Sequence, residues 1–274
     1  MARFRDKVVF ITGASSGIGA GLARQFAREG AAIALTARRV DRLQTIAAEL
    51  EGAGHRVAVV PCDVTRDGDL ERAVAAARQA LGPIDVAVAN AGFGVVGNVV
   101  GLAVDDFRRQ FETNVFGVLR TLYATLPDLT RTRGTFVVLG SVSGHIGVPG
   151  SAAYSMSKFA VRGLAQALRH ELRPRGVAVV LISPGFVVSE LQQVDNRGVR
   201  HPDAKARVPE WLRMPTERAA RQIVRAVARR RGEVVVTAHG KAVVLLQRHV
   251  PWLVSAVVAG AGIRGRSAPS ASST

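Results

Sequence analysis

The chain has 274 residues, 48% apolar and 21% charged, which is enough to bury a substantial core and excludes a disordered or fibrous protein. One cysteine, Cys62, excludes an intramolecular disulfide framework and a cysteine-rich zinc site. The formal charge of +16 rests on arginine, 33 of the 37 basic residues. Fifteen basic residues against four acidic ones lie between Arg197 and Thr274, a surplus that suits nucleic acid, an anionic membrane or an acidic partner without choosing among them.

Val8–Thr12 opens a series of short, nearly continuous apolar runs that read as strands, followed by Ala31–Ala37, Val57–Val60, Ile84–Ala89, Thr135–Leu139, Ala178–Ile182 and Val234–Thr237. Helical patterns fall between them, at about 17–29, 40–51, 67–80, 105–131, 152–172 and 216–231, with Gly30, Gly82 and Gly134 placed as helix stops. Seven strands with intervening helices predict a doubly wound, Rossmann-like parallel α/β sheet in a single domain over 1–240. Residues 184–215 form one long irregular stretch, expected to be the substrate loop. Residues 241–266 form an apolar and basic extension, and 267–274 a disordered tail. No apolar run is long enough to span a bilayer, and Met1–Lys7 lead directly into a strand without a signal-peptide pattern, so the expected location is cytoplasmic.

The first strand runs into Gly13-Ala14-Ser15-Ser16-Gly17-Ile18-Gly19, a glycine-rich turn that opens a helix. Such a turn brings backbone close to a pyrophosphate and offers it helix N-terminal N–H groups. The second strand ends in Ala37-Arg38-Arg39, with no carboxylate for a ribose 2′-hydroxyl. Arg38, helped by Arg39, matches a 2′-phosphate instead, so NADP(H) is the expected cofactor. Asp63 and Val64 after the third strand, positioned for the adenine, and Asn90-Ala91-Gly92 after the fourth complete the expected cofactor wall.

Tyr154 and Lys158 stand four residues apart on one helix face. A free phenol titrates near 10, and a neighbouring cation lowers that value. Ser141 closes the fifth strand thirteen residues upstream, and Asn114 interrupts an apolar stretch halfway along the long fourth helix.

Taken together, Thr12-Gly13-x-x-x-Gly17-Ile18-Gly19, Asp63, Asn90-Ala91-Gly92, Asn114, Ser141, Tyr154-x-x-x-Lys158 and Pro184-Gly185 resemble the short-chain dehydrogenase/reductase family over about residues 5–240. The resemblance implies hydride transfer between a nicotinamide and a carbonyl or alcohol carbon. It implies Tyr154 as general acid, Lys158 as the residue that lowers its pKa and holds the nicotinamide ribose, Ser141 on the substrate oxygen and Asn114 supporting a water. In Pro184-Gly185-Phe186-Val187-Val188-Ser189, Val187 and Ser189 match positions that orient the nicotinamide carboxamide, and Pro184 and Gly185 are implied to bind the cofactor with them. Family habit implies a homodimer or homotetramer packed through the helices at 105–131 and 152–172.

Phe93, Ser143, His145, Phe186 and Trp211 are expected to face substrate along a mostly apolar wall, favouring a lipophilic ketone, aldehyde or secondary alcohol. No metal site is expected. A 3-oxoacyl reductase docking an acidic carrier protein remains an alternative, as does a non-catalytic NADP-binding sensor. Aromatic residues make up 5% of the chain and no binding motif is present, so nucleic acid is not expected as a partner. The 241–266 extension, apolar stretches edged by arginine, is expected to make peripheral membrane contact or a subunit interface.

Overall fold

The computed structural model describes residues 2–197, 199, 201 and 208–260. Seven strands, β1 (Val8–Thr12), β2 (Ala32–Ala37), β3 (Val57–Pro61), β4 (Val86–Ala89), β5 (Thr135–Leu139), β6 (Ala178–Ser183) and β7 (Glu233–Val235), form one parallel sheet in the order β3-β2-β1-β4-β5-β6-β7. The chain order reverses between β1 and β4, which leaves a crevice at the carboxyl edge of those two strands.

Side chains on a strand alternate between faces, and here both faces are covered, which is why the strands read as unbroken apolar runs. Val9, Ile11, Ile33, Leu35, Val88 and Val137 pack on one face against α1 (Gly17–Arg28), α2 (Val40–Gly52) and α7 (Thr216–Ala228). Phe10, Ala34, Ala87, Phe136, Val138 and Leu181 pack on the other face against α3 (Asp69–Leu81), α5 (Gly117–Thr132) and α6 (Ala152–Glu171).

The structure departs from the sequence expectation in two places. The helix expected over 105–131 is two helices, α4 (Val104–Phe111) and α5, joined by a π-helical turn at Glu112–Phe116. One such turn rotates the following residues relative to the α-helical frame, and Asn114 lies inside it. The described part of the C-terminal extension is helical. Thr237 caps α8 (Ala238–His249) by accepting from the Gly240 N–H, and Pro251 opens α9 (Pro251–Gly260). No single described helix is long and apolar enough to cross a membrane, and α8 and α9 are bent by 118° from one another. The expected tail at 267–274, with Arg264 and Arg266, lies outside the described residues.

Candidate active site

The crevice between β1 and β4 is built first by its strand ends. The Thr12 hydroxyl accepts from the N–H groups of Asn90 (3.0 Å) and Ala91 (3.1 Å), while the Asn90 amide donates to the carbonyls of Thr12 (2.9 Å) and Gly13 (3.2 Å). Gly13 has φ of +67°, and a Cβ there would meet the Ala91 Cα at 2.8 Å. A Cβ on Gly19 would lie 2.3 Å from the Gly13 carbonyl oxygen, so the first turn of α1 can sit this close only without a side chain. Ser16 precedes α1 without capping it through its own side chain, so its hydroxyl leaves the first-turn N–H groups to a ligand anion.

A cleft of about 730 Å³ opens along this edge. It is lined by Gly13, Ser15, Ser16, Gly17, Ile18 and Gly19 from the turn, by Arg38 and Arg39 after β2, and by Asp63 and Val64 after β3. Asn90, Ala91 and Gly92 follow β4, and Pro184, Gly185, Val187 and Ser189 follow β6; Ser141, Tyr154 and Lys158 complete the same wall. All the residues expected to hold a cofactor therefore face one cavity. Arg38 is exposed, whereas Arg39 donates to the hydroxyls of Ser15 and Ser16. The Asp63 carboxylate is held in a tight turn, accepting from the Thr65 N–H (3.0 Å) and hydroxyl (2.7 Å).

Lys158 is buried, with Nζ donating to the Leu139 carbonyl at 2.7 Å and lying 5.6 Å from the centre of the Tyr154 ring. Burial pushes its pKa down to about 8, because desolvation penalises the charged form. Ser141, two residues past the end of β5, accepts from the Ser143 N–H through its hydroxyl oxygen, which leaves its own O–H to donate.

Asn114 does not line the cleft; it is buried behind it. Its Oδ1 accepts from the Phe93 N–H (3.1 Å), and its Nδ2 donates to the Phe93 carbonyl (3.0 Å) and to Ser157 Oγ (3.2 Å). Gln110, which carries no signal of its own in the sequence, makes a second clamp, accepting from the Val95 N–H and donating to the Phe93 carbonyl. These two buried amides fix the Phe93–Val95 wall.

Of the residues expected at the substrate, Phe93 and Phe186 line the cleft. His145 is corrected by the structure. Its side chain is buried with Nε2 3.1 Å from Ser183 Oγ and 3.4 Å from Glu233, turned toward β6 and β7 because these polar partners lie there. Burial, followed by the nearby Arg162, holds its pKa below the usual imidazole value. Trp211 stands 83% exposed on a short turn at Glu210–Leu212, outside the cleft lining, and Ser143 contributes its backbone N–H to Ser141 rather than a side chain to the cleft.

Two further residues reach the site from unexpected places. His239, on α8, accepts from the Phe186 N–H at 3.1 Å and stacks on the Phe186 ring with centroids 5.4 Å apart. Glu190, just after Ser189, pairs with Arg39 (2.9 Å) and Arg42 (2.6 Å).

The sequence profile of the short chain dehydrogenase family matches residues 7–199. An uncharacterized oxidoreductase of Myxococcus xanthus is 38% identical over 238 residues, covering 80% of this chain and 94% of the relative. Among solved structures, an alcohol dehydrogenase from the archaeon Thermococcus sibiricus complexed with 5-hydroxy-NADP is similar with TM-score 0.74 and 32% identity, covering 84% of this chain and 95% of that one. A short chain dehydrogenase/reductase from Burkholderia phymatum in complex with NAD has TM-score 0.82 and 26% identity, covering 92% and 96%.

Proposed function

The chain belongs to the short-chain dehydrogenase/reductase family of oxidoreductases, and from that premise we propose that it is an NADP(H)-dependent reductase of lipophilic ketones or aldehydes. The observation that carries this reading is the shared cleft, in which Ser141, Tyr154 and Lys158 stand along one wall with the glycine-rich turn and Arg38.

A bound nicotinamide dinucleotide supplies the hydride. The chain's own residues do the rest. As a carbonyl carbon accepts hydride, negative charge grows on its oxygen, and two donors meet it there, the Ser141 hydroxyl and the Tyr154 phenol. The Tyr154 proton passes to that oxygen, leaving a phenolate, which the buried ammonium of Lys158 stabilises across the ring. With a pKa of about 8, Lys158 is still mainly charged at neutral pH. Phe93 and Phe186 offer apolar surface beside the reacting centre, which favours a lipophilic substrate. The choice of NADP(H) rests on Ala37 standing where a carboxylate would read a 2′-hydroxyl, and on the exposed Arg38 next to it.

The test is NADPH oxidation followed optically with lipophilic ketones, aldehydes and one 3-oxoacyl thioester, with NADH in parallel. Turnover of the apolar carbonyls with NADPH, lost in Tyr154→Phe, is the expected result. Turnover confined to the thioester would replace the substrate class with an acyl reductase, and tight NADPH binding without any turnover would replace the enzyme with a sensor.

Two partner readings accompany this function. Phe116 at the start of α5, Tyr123 on α5, and Met156 and Phe159 on α6 are exposed, so these helices are proposed to pack against a second copy in a homodimer or homotetramer. Leu245 on α8 and Trp252 and Val257 on α9 are each at least 60% exposed, with Lys241 and Arg248 on the same helical pair, a composition that suits peripheral contact with an anionic membrane. Co-sedimentation with phosphatidylserine vesicles, abolished in Trp252→Ser, tests the membrane reading, and chromatography with light scattering tests the oligomer.

A further inference from the structure

The segment after β6 lies across the cofactor side of the cleft. A Cβ on Gly17 would come within 3.1 Å of the Ser189 Cβ, so the chain rests directly on the glycine-rich turn. Seven residues farther, the Asn196 amide pairs with the Val96 backbone in both directions at 2.8 Å, fixing the segment to the opposite rim. Between these contacts stands Glu190. Its two carboxylate oxygens receive separate guanidinium groups, Arg39 Nη1 at 2.9 Å and Arg42 Nη1 at 2.6 Å.

The remaining donors of Arg39 point to the same place. Nη2 donates to the hydroxyls of Ser15 (3.0 Å) and Ser16 (2.7 Å), and Nε to Ser15 (3.2 Å). A carboxylate held by two arginines, one of which also reaches two serine hydroxyls, is an oxyanion in an oxyanion's site. The site lies at the end of β2, beside the exposed Arg38, where a doubly wound sheet reads the 2′-position of the adenosine ribose.

We propose that Glu190 is an internal competitor for the 2′-phosphate subsite, so that this one residue sets how strongly the protein prefers a 2′-phosphorylated cofactor. The inference rests on the NADP(H) reading of Arg38 and Arg39. A phosphate arriving at Arg39 meets the Glu190 carboxylate on the same guanidinium, and two like-charged groups cannot both hold it closely. Phosphate binding therefore breaks the Glu190–Arg39 pair, one of the contacts that hold the segment at the turn. A cofactor with a 2′-hydroxyl makes no such demand and leaves Glu190 where it is. The pairs are partly exposed, with about a quarter to two fifths of each side chain accessible, so they are weak enough to be displaced.

Calorimetric binding of 2′,5′-ADP and of 5′-AMP to the full chain separates these effects without using activity. Glu190→Gln is expected to tighten 2′,5′-ADP about fivefold, the scale of partly exposed ion pairs, while 5′-AMP stays within about twofold. The gain is expected to vanish in the Arg39→Gln background, because Arg39 is where the two anions meet. Unchanged or weaker 2′,5′-ADP binding in Glu190→Gln would overturn the proposal, since Glu190 would then merely hold Arg39 in place. Equal tightening of both ligands would overturn it too, by showing a general opening of the segment. Failure of the NADP(H) reading shows elsewhere, in wild-type protein that binds 5′-AMP better than 2′,5′-ADP and NADH better than NADPH.

Discussion

Lys158 is tied to the sheet on one side and faces the Tyr154 phenol on the other: its Nζ donates to the Leu139 carbonyl at 2.7 Å and lies 5.6 Å from the centre of the Tyr154 ring. Burial that pulls its pKa from 10.5 to about 8 also means that the folded protein holds this charge at a cost. Because the folded value is the depressed one, the cost is present in full below about pH 8 and fades as pH rises toward 10.5.

Lys158→Met is therefore expected to keep or raise the melting temperature at pH 7 while turnover falls at least about 10²-fold, the scale of lost proton-transfer assistance. Thermal melts and steady-state rates on the same sample check it. A melting temperature several degrees lower would show that the Leu139 hydrogen bond outweighs the desolvation.

Tyr154→Phe removes one oxygen and leaves the ring beside Lys158. Cofactor affinity is expected to hold within about twofold while the rate drops by at least roughly 10²-fold. Fluorescence titration with NADPH and an optical assay separate the two, and near-normal turnover would remove Tyr154 from its role as acid.

Gly19 is the tightest contact of the turn, since its missing Cβ would sit 2.3 Å from the Gly13 carbonyl oxygen and 2.6 Å from Asn90 Nδ2. Gly19→Ala must push α1 away from the strand end or break the Asn90 clamp, at a cost of about 1–3 kcal/mol for an overpacked site. Urea denaturation is expected to show that loss, together with weaker dinucleotide binding. Gly52→Ala, where a Cβ meets nothing within 4 Å, is the matched control.

The sequence carries the sheet because its central strands are buried on both faces and so announce themselves as apolar runs, and it carries Tyr154 and Lys158 because a spacing of four is local helix geometry. The pairs that complete the site are not local. Arg39 and Glu190 stand 151 residues apart in the chain, Phe186 and His239 stand 53 apart, and no periodicity links residues that meet only through the tertiary fold. His145 misleads for the same reason, because its loop position gives no sign that Ser183 and Glu233 draw it away from the cleft. The extension's short apolar pieces resolve into α8 and α9 because Thr237 and Pro251 mark helix starts just ahead of them.

Asn114 is 1% exposed, and its amide satisfies both backbone groups of Phe93. Asn114→Leu keeps the volume but strands the Phe93 N–H in a buried place, a loss of about 1–3 kcal/mol. Because that backbone forms the cleft wall, KM for a bulky ketone is expected to rise more than kcat falls. Stability and kinetic constants measured on this variant and on Asn114→Asp, which retains the acceptor, distinguish a lost wall from lost chemistry.

Two imidazoles, one buried at His145 and one half-buried at His239, set the acid limit of stability. Burial lowers the pKa of His145, with Arg162 adding to it, and burial alone lowers that of His239, whose Nε2 must stay unprotonated to accept the Phe186 N–H. Both folded values lie below the unfolded value near 6.5, so on unfolding each ring takes up a proton that the native state refuses. Their contribution is present in full above about pH 6.5 and is lost as pH falls through the folded values. The paired carboxylates Glu29, Glu49 and Glu190 also have lowered pKa values, but their contributions fail only in the more acidic range below the ordinary carboxylate value. Melting temperatures taken between pH 5 and 7.5 are therefore expected to fall toward acid, and His145→Gln, which can still hydrogen-bond Ser183, is expected to flatten that fall. His239→Gln should flatten it further and, by loosening Phe186, raise KM at neutral pH. An unchanged slope in both variants would assign the acid loss to carboxylates alone.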